Sequence, residues 1–365
     1  MKRNNSTAWI CLFLALFILP SLLFPLVKGQ INTENTENRT LASFPSLAAS
    51  DFEDFPAGFE AYYNDRLPFR NQLIRLNNTL QYALFRQQKI NGVAIGRDGW
   101  LFYCSEEAGN PVEQSLGGWH FTEEQLEKIA ESMQRTKDVL ESQGKEFVLF
   151  IAPNKETVYM EKLPAYYERA DEYTSTDQLA DYLAAHTDVT VVRPEGEILD
   201  FKKEHPDIQL YRKLDSHWNN AGAYLGARAL CRALGVELPE LTELDMERVQ
   251  LTEGDLETVM NAAVTDTDTD YTLSGYSSLE TVTLKDDAQS ECIFETKGAD
   301  SRRIFVSRDS YSVALAPILS SQFEKAVYVH HSNFTPSQID KFDADIYILE
   351  IVERNIRLIP QYAVK

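Results

Sequence analysis

Two short segments far apart in the sequence carry the side chains that could do chemistry. Asp215-Ser216-His217-Trp218-Asn219 supplies a carboxylate and an imidazole, and Arg308-Asp309-Ser310-Tyr311-Ser312 supplies a hydroxyl. A serine hydroxyl is a weak nucleophile at neutral pH until a base accepts its proton, and a third group must hold that base in the right tautomer. We therefore predict Ser310 as the nucleophile, His217 as the base and Asp215 as the residue that orients His217.

Other residues near these segments have alternative roles. The pair His330-His331 competes with His217 for the role of base, although such a pair is also typical of a solvated strand end. The candidate substrate-binding residues are Lys155, Tyr159 and Arg308. The alternative is that Tyr159 is packed in the core and that Lys155 lies on the surface. The sequence has no metal-ligand spacing, no phosphate loop and no dinucleotide-binding motif, so neither a metal nor a cofactor is expected.

Short apolar strands that alternate with helices must position these groups. Strands are predicted at 147–152, 189–192, 304–306, 326–329 and 346–349, with helices at 122–144, 176–186, 221–234, 311–323 and 336–342. This alternation predicts an α/β fold in which helices cover both faces of a mainly parallel sheet. Ser310 lies between a predicted strand and a predicted helix, at the sheet edge where such folds bind ligands.

The amino-terminal region predicts attachment to a membrane. Met1-Lys2-Arg3 precedes an apolar run over 8–27, which as a helix could cross a bilayer core of roughly 30 Å. A cleaved signal peptide is the alternative, but no small-x-small cleavage site follows the run, so an anchor is favoured. We expect a cytoplasmic tip and signal anchor over 1–28, a polar tether over 29–51 and an extracytoplasmic domain over 52–365. Within that domain, 236–302 is acidic and Thr-rich and predicts an irregular or β-rich insertion.

Charge and cysteine content exclude several classes of function. The net charge of −21 is spread along the exported part without a long basic block. This distribution argues against nucleic acid as a partner and against a docking surface for anionic lipid. Outside the apolar run, Cys104, Cys231 and Cys292 cannot all pair with one another, and they are interpreted as small buried hydrophobic residues.

The order of several motifs resembles a known family. Gly96 to Tyr103 (GRDGWLFY), Ala152 to Tyr159 (APNKETVY), Asp215 to Ala221 (DSHWNNA), Asp309-Ser310 and Glu350 to Arg354 (EIVER) occur in the order found in the SGNH-hydrolase-like domain of alginate O-acetyltransferases of the AlgX and AlgJ type. A group of membrane-anchored bacterial proteins named for an Asp-His-His-Trp motif is similar, but Ser216 stands where that group has its first His. The family often has Gly before Asp-Ser, where this chain has Ser307-Arg308.

The resemblance implies a fold and a function. It implies an SGNH-like domain in which Ser310, His217 and Asp215 move an acetyl group onto a hydroxyl of an extracytoplasmic polysaccharide through an acetyl-serine intermediate. It also implies a membrane acyltransferase as the acetyl donor, because acetyl-CoA is not available outside the cell. Two alternatives stay open: an acyl esterase with the same triad, and a non-catalytic envelope protein that binds glycan or acts as a scaffold.

Overall fold

The computed structural model describes residues 4–30, 40–46, 53–85, 88–287 and 290–364. Lys2, Arg3 and most of the predicted tether lie outside these residues. The helices are α1 (Asn4–Val27), α2 (Phe55–Asp65), α3 (Arg70–Ala83), α4 (Pro111–Ser115), α5 (Glu123–Ser142), α6 (Lys155–Val158), α7 (Ser175–His186), α8 (Glu195–Glu204), α9 (Asn220–Ala233), α10 (Asp255–Met260), α11 (Ser312–Ser320) and α12 (Ser337–Lys341). The strands are β1 (Lys89–Ile90), β2 (Val93–Ile95), β3 (Leu101–Tyr103), β4 (Glu146–Ala152), β5 (Thr190–Val192), β6 (Asp245–Leu251), β7 (Asp268–Ser274), β8 (Thr281–Asp286), β9 (Glu291–Thr296), β10 (Asp300–Arg308), β11 (Phe323–His330) and β12 (Ile346–Val352).

A seven-stranded sheet positions the two motif segments. Its order is β5-β4-β12-β10-β11-β9-β8, and the first five strands in that order are mutually parallel. β9 and β8 join antiparallel at one edge, so the sheet is mixed. The prediction of an α/β fold with a mainly parallel sheet is confirmed, and the antiparallel edge is an addition that the sequence pattern did not indicate.

The central strands are buried because helices cover both faces of the sheet. Every residue of β12 is buried, and Phe147 to Ala152 of β4 form an unbroken buried run. Apolar side chains fill two layers, one on each face of the sheet. α5 begins at a capping box in which Thr122 and Gln125 exchange hydrogen bonds, as its sequence predicts.

The predicted insertion at 236–302 is β-rich. β6 and β7 form a separate two-stranded antiparallel sheet, while β8 and β9 extend the main sheet. The segment is therefore an ordered part of the fold rather than an irregular excursion from it. The predicted outer limits of the domains remain predictions.

The chain divides into two compact units. One consists of Met1–Gln87 with Thr258–Val264, and the other of Gln88–Glu257 with Thr265–Lys365. The first unit contains α1, whose stretch Thr7–Val27 is long and apolar enough to cross a membrane. A signal sequence near the amino terminus meets the same criterion. The second unit contains the main sheet and both motif segments.

Candidate active site

Asp215, His217 and Ser310 form a continuous hydrogen-bonded chain. The Nδ1 atom of His217 lies 2.7 Å from Oδ1 of Asp215, and its Nε2 atom lies 2.7 Å from Oγ of Ser310. With the proton on Nδ1, the imidazole donates to the carboxylate and accepts from the serine hydroxyl. The structure thus brings together the three residues that the sequence analysis grouped.

Ser310 lies in an exposed turn between β10 and α11. Its neighbours fix this turn to β12, because the Oε2 atom of the buried Glu350 accepts hydrogen bonds from Asp309 N at 3.0 Å and from Ser312 Oγ at 2.8 Å. The Asp309 carboxylate in turn accepts from Tyr311 N and from Val352 N. Burial and the charge of Asp309 raise the pKa of Glu350 well above its ordinary value.

His217 lies in the loop that enters α9. The bridge between Tyr211 and Trp218 closes this loop, and Asn219 ends it by accepting a hydrogen bond from Gly222 N at the start of the helix. His217 N donates to Asp215 Oδ1 at 2.9 Å, so the same carboxylate oxygen contacts both the backbone and the ring of His217. This local turn lets the carboxylate of Asp215 contact the imidazole of His217, which lies only two positions along the chain.

Two reciprocal hydrogen bonds join the His217 loop to the Ser310 turn. Trp218 Nε1 donates to Tyr311 O at 3.0 Å, and Tyr311 Oη donates to Ser216 O at 2.6 Å. Trp218 and Tyr311 are each 1% exposed, and the ring of Tyr311 also contacts the imidazole of His217 at a centroid distance of 5.0 Å. Neither hydrogen bond could be predicted from the sequence, because the two segments are brought together only by folding.

A buried lysine and a buried aspartate hold the loop before Asp215 from opposite sides. Lys155 Nζ donates to the carbonyl oxygens of Arg212, Lys213 and Asp215 at 3.2, 3.3 and 2.5 Å. Asp268 accepts from Lys213 N at 2.6 Å and from Leu214 N at 2.7 Å. The cation thus binds the carbonyl groups of the loop and the carboxylate binds its amide groups.

The acidic Thr/Asp run at 265–270 therefore has a structural role. Asp268 and Asp270 are both buried at the start of β7, and Asp270 accepts from the Arg212 guanidinium and from Asn220 N. Asp266, which is more exposed, contacts Lys213 Nζ at 3.2 Å. Alternate aspartates thus contact the loop before Asp215, a role that the acidic composition alone did not indicate.

A second carboxylate, Asp255, lies beside His217. Its Oδ2 atom is 3.4 Å from His217 Nδ1, and it accepts hydrogen bonds from Ser216 N and Ser216 Oγ. Asp215, His217 and Asp255 offer ligand atoms within 4.8 Å of one another, which is close enough to hold a cation. However, a metal on Nδ1 would displace the proton that His217 shares with Asp215, so this arrangement suits the triad better.

The electrostatics of the site keep Asp215 ionised. Burial raises the pKa of Asp215, but hydrogen bonds from the imidazole and backbone of His217 and from Asp255 N outweigh it and hold the pKa well below its usual range. Arg354 supplies a nearby cation, with its guanidinium carbon 5.4 Å from the centroid of the Tyr311 ring. Among the described residues, its Nη1 atom is buried without a hydrogen-bond partner.

The three predicted substrate-binding residues are buried. Lys155 is fully buried and bound to the loop before Asp215, which corrects both the expected substrate contact and the alternative of a surface lysine. Tyr159 is 5% exposed, stacks on Trp100 and accepts from Leu210 N. Arg308 is 4% exposed and donates to Asp309 O. The structure therefore gives these residues packing and hydrogen-bonding roles instead of places where a substrate could reach them.

His330 and His331, the alternative candidates for the base, make contacts with residues other than Ser310. His331 Nδ1 lies 2.9 Å from Ser307 Oγ, and its ring stacks on Tyr362 at a centroid distance of 4.0 Å. Burial lowers the pKa of His331 to about 4. His330 contacts Ser332 Oγ at 2.8 Å. In the part of the chain that the structure describes, His217 is the histidine in contact with Ser310.

Known proteins resemble this chain in sequence. A family profile described as "SGNH hydrolase-like domain, acetyltransferase AlgX" matches residues 93–332, which is more than half of the chain. A probable alginate O-acetylase AlgJ of Pseudomonas aeruginosa is 29% identical over 191 residues, which cover 52% of this chain and 43% of that protein. The chain thus matches less than half the length of this curated relative.

Solved structures share the fold. A DHHW family protein from Eubacterium siraeum superposes with a TM-score of 0.55 at 17% identity, over 76% of this chain and 97% of its own. Bacillus cereus PatB1 superposes with a TM-score of 0.54 at 16% identity, over 72% of this chain and 96% of its own.

The sequence match and the geometry concern the same residues. The matched range contains Asp215, His217 and Ser310, together with β10, which leads into the Ser310 turn. From its sequence, therefore, this chain belongs to the SGNH hydrolase-like domain family of the acetyltransferase AlgX.

Proposed function

We propose that this chain is an extracytoplasmic O-acetyltransferase that moves acetyl groups onto hydroxyls of a cell-surface or exported polysaccharide. The observation that carries the proposal is the hydrogen-bonded chain from Asp215 through His217 to the exposed Ser310. Membership of the AlgX-type family and the likeness to a probable alginate O-acetylase support the choice of reaction.

In the first step, Ser310 Oγ attacks the carbonyl carbon of an acetyl ester while His217 Nε2 accepts the hydroxyl proton. The tetrahedral intermediate collapses when the ester C–O bond breaks, and the imidazolium returns the proton to the leaving oxygen. Acetyl-Ser310 results. The ionised Asp215 stabilises the imidazolium that forms during this step.

In the second step, a sugar hydroxyl replaces the departed group. His217 accepts its proton, the sugar oxygen attacks the acetyl carbon, and the proton returns to Ser310 Oγ as the acetyl ester of the glycan leaves. Each step forms an oxyanion next to the start of α11, where backbone N–H groups carry partial positive charge.

The donor would be a membrane partner that passes acetyl groups across the bilayer. The apolar helix α1 is consistent with a single-pass anchor that keeps the domain on the extracytoplasmic side of the membrane. An exposed nucleophile is also open to water, and this favours a second candidate function, an acyl esterase with the same triad.

Incubation with an acetyl ester and a glycan acceptor separates these functions. We expect acetylated glycan in excess over free acetate, and both products should vanish in Ser310→Ala. Free acetate alone would identify an esterase. If neither product forms and a sulfonyl fluoride fails to label Ser310 in the native protein, the chain is a non-catalytic glycan-binding or scaffold protein.

A further inference from the structure

One stretch of the chain has a charge opposite to that of the whole molecule. Asp+Glu exceed Lys+Arg by 56 to 35 overall, yet 66–97 contains no acidic residue. Its cationic residues are Arg66, Arg70, Arg75, Arg86, Lys89 and Arg97. This stretch of the sequence contains α3, and its positive charge is hidden by the net charge of −21.

α3 also turns an apolar stripe outward. Leu73, Leu76, Leu80 and Leu84 recur at helical spacing on one face, and they are 48%, 55%, 40% and 69% exposed. Phe85, which follows directly, is 74% exposed. Contiguous exposed apolar side chains of this kind mark a surface that binds a protein or a membrane.

The polar side of the same helix is the side that packs. Asn78 is buried and its Nδ2 atom donates to Met260 O at 3.0 Å, while Thr79 Oγ1 accepts from Ala263 N at 2.9 Å. A surface helix of a water-soluble domain has the reverse arrangement, with its apolar side packed. Among the residues that the structure describes, the leucine face of α3 is therefore left exposed.

We propose that α3 lies in the interface of an anionic phospholipid membrane, with its leucines at the headgroup and acyl boundary. The cations complement the headgroups, and Arg66 and Arg75 are exposed. α3 also follows the candidate membrane helix α1 in the same unit. The net charge argues against a docking surface for anionic lipid on the molecule as a whole, but charges farther away than about 10 Å are largely screened, so the local charge decides such a contact. This inference does not depend on the proposed acetyl transfer.

A fluorophore at position 76 tests the proposal in the full chain. Cys11→Ser removes the exposed thiol, while Cys104, Cys231 and Cys292 are buried, so Leu76→Cys can be labelled selectively. The labelled protein is reconstituted in phosphatidylcholine vesicles with or without phosphatidylglycerol. With phosphatidylglycerol, burial at the interface should lower the iodide quenching constant about fivefold, and lipids spin-labelled on their acyl chains should quench the fluorophore.

Matched variants decide between the outcomes. The same label at Glu127→Cys, an exposed position on α5, should stay accessible to iodide in both vesicles. Arg66→Gln, Arg70→Gln and Arg75→Gln combined should restore iodide access at position 76. The proposal is overturned if position 76 matches position 127, or if protection is equal without phosphatidylglycerol. Protection from iodide without quenching by spin-labelled lipid also overturns it, because a protein would then cover the leucines.

Discussion

At the scale of single residues, the proposed chemistry depends on which nitrogen of His217 carries the proton. The carboxylate of Asp215 fixes the proton on Nδ1 and leaves Nε2 to accept from Ser310. Asp255 is also near Nδ1, but at 3.4 Å it is farther away than Asp215 at 2.7 Å. Asp215 should therefore contribute more than Asp255 to holding the proton on Nδ1 of His217.

Asp215→Asn should lower the rate of Ser310 modification by a sulfonyl fluoride by about 10⁴-fold, because the amide donates to Nδ1 and moves the proton to Nε2. Asp255→Asn is the matched control, and its effect should stay below about tenfold, since Asp215 still fixes the tautomer. Mass spectrometry of the Ser310 peptide over time measures both rates. Equal effects of the two variants would contradict the assignment of Asp215.

Tyr311→Phe tests the link between the two motif segments. Loss of the hydrogen bond to Ser216 O should lower the free energy of unfolding by about 1–2 kcal/mol and slow Ser310 modification. Tyr347→Phe is a matched control, because Tyr347 is also buried and its hydroxyl donates to Tyr362 O at a distance of 3.1 Å. This hydrogen bond does not join the two motif segments. Urea unfolding should show similar losses for both variants. If Tyr347→Phe slows the modification as much, the effect is one of stability alone.

At the scale of elements, β7 supports the loop that leads to Asp215. Asp268 accepts from two consecutive backbone amides of that loop, whereas Asp266 contacts the end of a flexible lysine side chain. Gly254 adds a close backbone approach, because a Cβ atom at this position would lie 2.2 Å from Leu214 O. The loop therefore has little freedom to move.

Asp268→Asn should slow Ser310 modification by about 10- to 100-fold, because the amide cannot accept from both Lys213 N and Leu214 N and the triad shifts. Asp266→Asn should change the rate less than about twofold, as expected for a partly exposed ion pair. Hydrogen exchange at the amides of residues 213 and 214 should accelerate in Asp268→Asn alone. Unchanged exchange there would refute the proposed support.

The same elements show what the sequence could and could not predict. The buried strands and the capped helices have local signals, so β4 and α5 were predicted close to their observed bounds, while β12 was predicted to end three residues too early. The triad was predicted from side-chain chemistry and from the family resemblance. Asp255, Asp268 and Tyr311 were missed, because their partners are backbone atoms or residues that only folding brings near. Lys155 was misassigned because a lysine is rarely buried, and its three carbonyl partners are not visible in a sequence.

At the scale of the whole molecule, a buried carboxyl links stability to pH. Glu353 is 1% exposed, and its oxygens accept from Asn154 N, Thr157 Oγ1 and Thr176 Oγ1. Burial and the charge of Glu195 raise the pKa of Glu353 to about 7. The folded state therefore holds this proton more tightly than the unfolded chain, whose carboxyl titrates near about pH 4.3.

The contribution of Glu353 to stability should be complete below about pH 4 and should decline as the pH rises through about 7. Glu353→Gln cannot lose the proton, so its free energy of unfolding relative to the wild type should increase by up to about 3 kcal/mol between pH 4.5 and 8.5. Urea unfolding at both pH values measures the change, with the exposed Glu127→Gln as control. A difference that does not vary with pH would show that Glu353 titrates normally.

The hydrogen bond between His217 and Ser310 joins side chains 93 positions apart. Under the proposed export, a chain that crosses the membrane from its anchor toward its carboxyl end would expose its general base before its nucleophile had crossed, and most of the central sheet would still have to assemble. Newly synthesised molecules should therefore remain inert toward acyl esters until translocation and folding are complete. The time at which Ser310 becomes reactive toward a covalent label would then measure how quickly the exported protein folds.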